Sequence, residues 1–241
     1  MQRYFVKEKI SNPLILKDFN QVHHIRNVMK MKLGDKTVVC DLEGRCFYMT
    51  IKELHSDTVI FTQGQALPRL DRKFHVTLAQ SLILKDHFEL ACQKATELGV
   101  DTIIPIKASR SIIDLNSEKP LKGTLVNLKQ ESSEASSRQT LCHIEDVMQL
   151  KDLNYSYYDV ILVAYENENT LSLKEALKTL KNDVKLLIVI GPEGGFTEDE
   201  IAFLESFGAK TVSLGSKILR SETAALYVLS VLSYEMEMSN A

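Results

Sequence analysis

The segment Leu187-Ile188-Val189-Ile190-Gly191-Pro192-Glu193-Gly194-Gly195-Phe196-Thr197-Glu198-Asp199-Glu200 constrains this chain most, because an apolar run stops at a glycine-rich loop that carries one acid and then opens a helix. Thr197 and Glu200 have capping-box spacing, so the hydroxyl and the carboxylate can each satisfy an orphan backbone N–H. Gly191, Gly194 and Gly195 allow close backbone approach and positive φ, while Pro192 fixes φ and withholds a donor. The pattern predicts a small-molecule site at the C-terminal edge of a strand. Glycines before a helix commonly cradle phosphate, but the spacing here is neither G-x-G-x-x-G nor G-x-x-x-x-G-K-[ST]. No Lys or Arg lies between Gly191 and Glu200, and Glu193, Glu198 and Asp199 repel a phosphate. A cationic or hydroxyl-rich ligand suits the loop better; a plain glycine-rich turn is the other reading.

A second strand-loop-helix unit ends the chain. Ser213-Leu214-Gly215-Ser216-Lys217-Ile218-Leu219-Arg220 leads into Ser221-Glu222-Thr223-Ala224-Ala225 and an apolar-rich continuation. Ser221 is suited to cap the helix, Glu222 complements its positive end, and strong helix formers follow. Arg220 therefore stands immediately before a helix N-terminus, where a cation is locally unfavourable. Such a placement suggests a residue held for a ligand or substrate; a solvated loop arginine is the alternative.

Between residues 74 and 241, strands expected near 74–80, 102–106, 160–165, 185–190 and 211–214 alternate with helices expected near 86–98, 119–136, 172–181, 197–206 and 221–237. That alternation indicates an α/β parallel sheet. In the helix near 86–98, Asp86 and Glu89 have capping-box spacing, Phe88, Ala91, Cys92, Ala95 and Leu98 recur at helical period, and Gly99 closes the run. Lys94 and Glu97 read as its exposed face. The N-terminal part reads differently. Runs at 37–40, 46–51 and 58–61 are expected strands separated by turns at Gly34-Asp35 and Glu43-Gly44, with one helix around Asp18 to Met31. This suggests a small β-barrel, joined to the rest by a linker at Gln63 to Arg69. The last helix carries apolar residues over more than one stripe, enough for its own sheet and a second copy of the chain.

At 241 residues the chain can hold one large domain or a small one plus a medium one. Cys40, Cys46, Cys92 and Cys142 form no C-x-x-C pair, and with no signal-like start they are expected to be reduced thiols in the cytoplasm. No metal is expected, since the six histidines lack H-x-x-x-H spacing. No segment has the apolar length to span a bilayer. Charge is uneven: residues 1–70 carry 11 Lys and Arg against 7 Asp and Glu, and the rest carry 18 against 25. The N-terminal part is thus net +4 within a chain of net charge −3, a split that would suit a polyanion docking at that end, with a solvated surface of chance asymmetry as the other reading.

Taken together, Gly191-Pro192-Glu193-Gly194-Gly195, Leu214-Gly215 and Ile218-Leu219-Arg220-Ser221-Glu222-Thr223-Ala224 resemble the ribosomal RNA small subunit methyltransferase E family of the SPOUT superfamily. Met1 to Phe5, His24-Ile25 with Val28 to Lys30, Gln93 to Gly99 and Val163 to Glu166 extend the resemblance over the whole chain. It implies an α/β fold: a trefoil-knotted SPOUT parallel sheet with helices on both faces over 71–241, preceded by a PUA-like RNA-binding β-barrel over 1–70. A knot is expected on the resemblance alone, because chains as a rule do not thread their own loops.

The resemblance further implies S-adenosylmethionine as cofactor, N3 of a uridine in 16S rRNA of the small ribosomal subunit as acceptor, and a homodimer. Cofactor contacts are implied at Ala164, Tyr165 and Glu166; at Ile190, Gly191, Pro192, Glu193 and Gly194; and at Leu214, Gly215, Ile218, Leu219, Arg220, Thr223 and Ala224. Arg220 is expected to be catalytic, with Glu222 and Arg138 as further candidates, and Arg3, Arg26, Lys30, Lys32 and Lys217 are expected to meet RNA. Four positions depart from the family pattern: Lys30 stands for Arg, Ser216-Lys217 for Pro-Arg, and Ala135 for Gln in the run Glu134 to Arg138. Lysine keeps the charge but loses the bidentate fork. A sister SPOUT enzyme methylating ribose hydroxyls and a non-catalytic RNA-binding protein are the alternatives. A dinucleotide oxidoreductase would need a G-x-G-x-x-G turn after the first strand of the sheet, and Leu82-Ile83-Leu84-Lys85 is not one.

Overall fold

The computed structural model describes residues 1–68, 74–111, 140–180 and 183–238. The chain divides into two compact units, Met1–Asp71 with Ser133–Leu141, and Arg72–Ser132 with Cys142–Ala241. The helix expected over 119–136, the boundary at 70 and the candidates Glu134, Ala135 and Arg138 lie outside the described residues.

The N-terminal unit is a curled five-stranded sheet ordered β1-β3-β4-β5-β2. Its strands are β1 (Arg3–Val6), β2 (Leu14–Leu16), β3 (Lys36–Asp41), β4 (Cys46–Leu54) and β5 (Val59–Ala66). The three expected strands are present; β1 and β2 were not expected, being too short for alternation to show. Two register shifts in β4, between Phe47 and Met49 and between Ile51 and Glu53, curl the sheet over a core that includes Tyr4, Ile25, Met49, Ile51 and Phe61.

Three expectations for this unit are corrected. Most of the linker is strand, since β5 runs on to Ala66 opposite Phe47. A β-carbon on Gly64 would lie 2.9 Å from the Tyr48 carbonyl oxygen, so this glycine marks close strand contact and not flexibility. The single helix is instead α1 (Phe19–His23), capped by Asp18, followed by a π-helical turn His24–Val28 that ends before Lys30 at φ 51°. Cys40 and Cys46 are bonded to each other. The β3–β4 hairpin places them directly opposite one another, a proximity set by register that cysteine spacing does not reveal. Cys92 and Cys142 are buried and not disulfide-bonded, and Cys92 lies in the core as expected.

In the C-terminal unit every described strand pair is parallel. The order β12-β10-β11-β6-β7-β8, with β9 also on β7, joins β6 (Phe74–Ser81), β7 (Thr102–Lys107), β8 (His143–Ile144), β9 (Met148–Gln149), β10 (Val160–Ala164), β11 (Val184–Ile190) and β12 (Lys210–Val212). The helices are α2 (Lys85–Glu97), α3 (Leu173–Lys178), α4 (Glu198–Ser206) and α5 (Ser221–Met238). Both faces of the sheet are covered, which is why β11 reads as one apolar run. Its Leu186, Ile188 and Ile190 join α2, α3 and α5 in one core, and its Leu187 and Val189 join α4 in the other.

The capping box at Thr197 and Glu200 is present in both directions, and Ser172 with Glu175 forms another that was not foreseen. Asp86 and Glu89 do not form one. Helix α2 begins at Lys85 after Leu84, which has no side-chain cap, and the Leu84 N–H reaches Glu193 Oε1 at 3.4 Å. Ser221 is not a cap either: it is the first helical residue and its hydroxyl donates to the Gly191 carbonyl. The other expectations for α2 hold, with Phe88, Ala91, Cys92 and Ala95 buried, Lys94 paired to Glu97 at 2.8 Å, and Gly99 at φ 101°.

Candidate functional site

Strands β12, β10 and β11 are neighbours and end level, Ala164 pairing with both Ile190 and Val212. The loops that follow therefore leave the same edge and enclose one cavity of about 490 Å³. This lies within the size range of small-molecule sites and at the carboxyl edge where open α/β sheets bind ligands. Every expected cofactor residue lines it except Thr223, which faces solvent on the first turn of α5. Glu168, Asn169, Gly195, Ser213, Ser216 and Ser221 line it too and were not among the expected cofactor contacts. Lys217, expected among the RNA contacts, is an exposed residue of this same lining.

Each loop is held by identifiable contacts. In the loop after β10, Glu168 accepts from the Thr170 hydroxyl and N–H, the Leu171 N–H and the Thr211 hydroxyl of β12. The Thr170 and Thr211 hydroxyls, then the two backbone donors, hold this carboxyl at about 2. The carboxylate staples the end of β10 to β12. A glutamate in a polar loop carries no sequence signal for that role.

The loop after β11 turns sharply. Gly195 adopts φ 67°, and a β-carbon there would collide with the Glu166 carboxylate; one on Gly191 would sit 3.2 Å from the Phe196 ring. At Gly194 a β-carbon would meet Arg110 Cβ at 3.1 Å. Arg110 follows β7, and its Nη1 donates to the Gly194 carbonyl at 2.9 Å and to the Phe196 carbonyl at 3.5 Å. Beside it, the Ser109 N–H donates to Glu200 Oε1 at 2.7 Å. A fourth segment thus clamps the glycine loop from outside the cavity, and only the tertiary fold shows it.

The loop after β12 brings the exposed side chains of Lys217, Ile218 and Arg220 to the cavity. Ile218 is 88% exposed, an apolar side chain left uncovered at the rim of a pocket. The Arg220 guanidinium has no carboxylate within ion-pair distance among the described residues. Glu222 does not line the cavity. It is 8% exposed, with Oε1 3.7 Å from His87 Nδ1 and Oε2 without a hydrogen-bond partner among the described residues.

The charge pattern of the lining has two ends, Glu166, Glu168 and Glu193 on the β10 and β11 loops against Lys217 and Arg220 on the β12 loop. Such a cavity suits a ligand with a cationic centre and hydroxyls, leaving two cations for an anionic group. Among the described residues no group of three or more His, Cys, Asp or Glu could hold a metal ion, and no helix is long and apolar enough to cross a membrane.

The remaining RNA candidates lie in the N-terminal unit. Lys30 and Lys32 are exposed, whereas the Arg26 guanidinium donates to the Ser56 carbonyl at 2.9 Å. Arg3 is half-buried in β1, and burial lowers its pKa below the usual arginine value. These two arginines therefore have structural surroundings that the lysines lack.

Residues 70–233 match the family model for an RNA methyltransferase domain. The ribosomal RNA small subunit methyltransferase E of Bacillus subtilis (strain 168) is 34% identical over 256 aligned residues, covering 99% of this chain and 98% of that one. A solved structure described as that of a hypothetical protein superposes with a TM-score of 0.88 at 32% identity, over 99% of this chain and 100% of its own. The ribosomal RNA small subunit methyltransferase E of Neisseria gonorrhoeae, solved bound to S-adenosyl methionine, shares the fold with a TM-score of 0.83 at 23% identity over 98% of each chain.

Proposed function

The chain belongs to the ribosomal RNA small subunit methyltransferase E family, and on that premise we propose that it transfers the methyl group of S-adenosylmethionine to N3 of one uridine in 16S rRNA. Its fold is the SPOUT type, a parallel α/β sheet with a curled N-terminal sheet. The observation that carries the reading is the convergence of three loops from distant parts of the chain on one cavity lined by all but one of the residues expected to hold this cofactor.

S-adenosylmethionine supplies an electrophilic methyl group on a sulfonium. The chain's residues must grip this donor, reach an unpaired or extruded base, and align its N3 with the methyl. Glu166, Glu168 and Glu193 match the donor's cationic and hydroxyl-bearing parts, and the loop after β11 brings backbone close to it. Arg220 stabilises the negative charge that develops on the uracil when N3 loses its proton. Lys217, Lys30 and Lys32 meet RNA phosphates through exposed ammonium groups. The substrate is presented in the small ribosomal subunit, the enzyme works in the cytoplasm as a homodimer, and no metal takes part. The dimer is supported by α5, whose Tyr227 and Tyr234 are 45% and 61% exposed although its other side is core.

The test is nucleoside mass spectrometry of unmodified 16S rRNA and of small subunits incubated with the purified chain and S-adenosylmethionine. N3-methyluridine at a single site is expected. Methyl groups on ribose hydroxyls would overturn the uracil assignment in favour of a sister enzyme, and no methyl transfer to either substrate would overturn the enzymatic reading. Sedimentation showing an active monomer would remove the dimer.

A further inference from the structure

We propose that Gln80 is a positioning residue for methyl transfer, acting through the Ser221 hydroxyl on the Gly191 carbonyl. Gln80 lies at the end of β6, where it pairs with Ile190, the last residue of β11. Its Nε2 is 2.8 Å from Ser221 Oγ, which is 2.6 Å from the Gly191 carbonyl oxygen. Gln80 is fully buried and Ser221 is 5% exposed.

The direction of these bonds is forced. A carbonyl oxygen can only accept, so the single Ser221 proton goes to Gly191, and the Ser221 oxygen must then accept from the Gln80 amide nitrogen. The same nitrogen also donates to the Ser81 carbonyl at 3.2 Å. This orientation leaves Gln80 Oε1 buried without a hydrogen-bond partner among the described residues. An unpaired buried oxygen is a standing cost that an apolar residue at position 80 would avoid. The amide therefore serves placement more than stability.

What it places is the part of the site where the β11 loop meets the start of α5. Gly191 opens the glycine loop, and Ser221 directly follows Arg220; both line the cavity. One hydroxyl thus fixes the glycine loop relative to the arginine, and Gln80 holds that hydroxyl in the only orientation that does so. The inference rests on the methyl-transfer reading and adds to it a residue outside the cavity lining.

Gln80→Glu keeps the shape but turns an oxygen toward the Ser221 oxygen, whose proton is already committed. Isothermal titration should show the S-adenosylmethionine Kd raised about tenfold, the scale of one net hydrogen bond. Ser221→Ala should do the same, Ser221→Thr should restore wild-type binding, and Gln80→Glu combined with Ser221→Ala should be no worse than either alone. Variants that bind within about twofold of wild type, or whose effects add, overturn the relay. If Gln80→Glu does not fold, the contrast between Ser221→Ala and Ser221→Thr decides in the same way. Failure of the wild-type chain itself to bind overturns the cofactor reading and the relay with it, whereas normal wild-type binding with unaffected variants overturns the relay alone.

Discussion

Gly195 has no room for a β-carbon, because one would collide with the Glu166 carboxylate, and its φ of 67° disfavours any L side chain. Gly195→Ala should therefore displace Glu166 and abolish S-adenosylmethionine binding while the circular dichroism spectrum stays that of a folded chain; wild-type affinity in this variant would refute the contact. At Gly194 an added side chain first meets the stem of Arg110, so Gly194→Val would act on the clamp before it acts on the ligand. Arg110→Ala removes the donors that hold the Gly194 and Phe196 carbonyls. It should weaken cofactor affinity by about 1 kcal/mol, with partial rescue by Lys. Arg220→Ala is expected to behave differently, lowering turnover by roughly 10²-fold with cofactor affinity retained. An unchanged rate of rRNA methylation by that variant would remove Arg220 from the chemistry.

Among the elements, the loop after β10 is the one with a titratable staple. The Glu168 carboxyl stands at about 2 against an ordinary value of 4.5. A depressed folded-state pKa gives stabilisation that is fully present above the ordinary value and is lost as pH falls through the folded value. The loop should thus keep its order at pH 5 and lose it between about pH 4.5 and pH 2. Acid unfolding followed by circular dichroism should show a smaller loss over that window for Glu168→Gln than for wild type, and equal losses would count against the staple. Helix α4 begins at a capping box: Thr197→Ala breaks one direction of it and should cost about 1 kcal/mol in urea denaturation.

At the scale of the whole molecule, RNA affinity should be carried by phosphates and hence fall with salt. Replacing Lys30, Lys32 and Lys217 together by Ala should weaken 16S rRNA binding and shorten the slope of log K against log salt by roughly 2 to 3; an unchanged slope would place the phosphate contacts elsewhere. The sequence alone determined the strand-to-helix alternation of the parallel sheet and the capping box at Thr197, because hydrophobic period and capping spacing are local patterns, and the family resemblance supplied 14 of the 21 residues that line the cavity. Only the tertiary structure decided the rest. Strands β1 and β2 are too short to carry a period, and the Cys40–Cys46 bond depends on hairpin register. Arg110 reaches the glycine loop across 84 residues and Gln80 reaches Ser221 across 141. Contacts of that separation leave no mark on neighbouring positions, so the residues that position this site come into view only when the strands that carry them lie side by side.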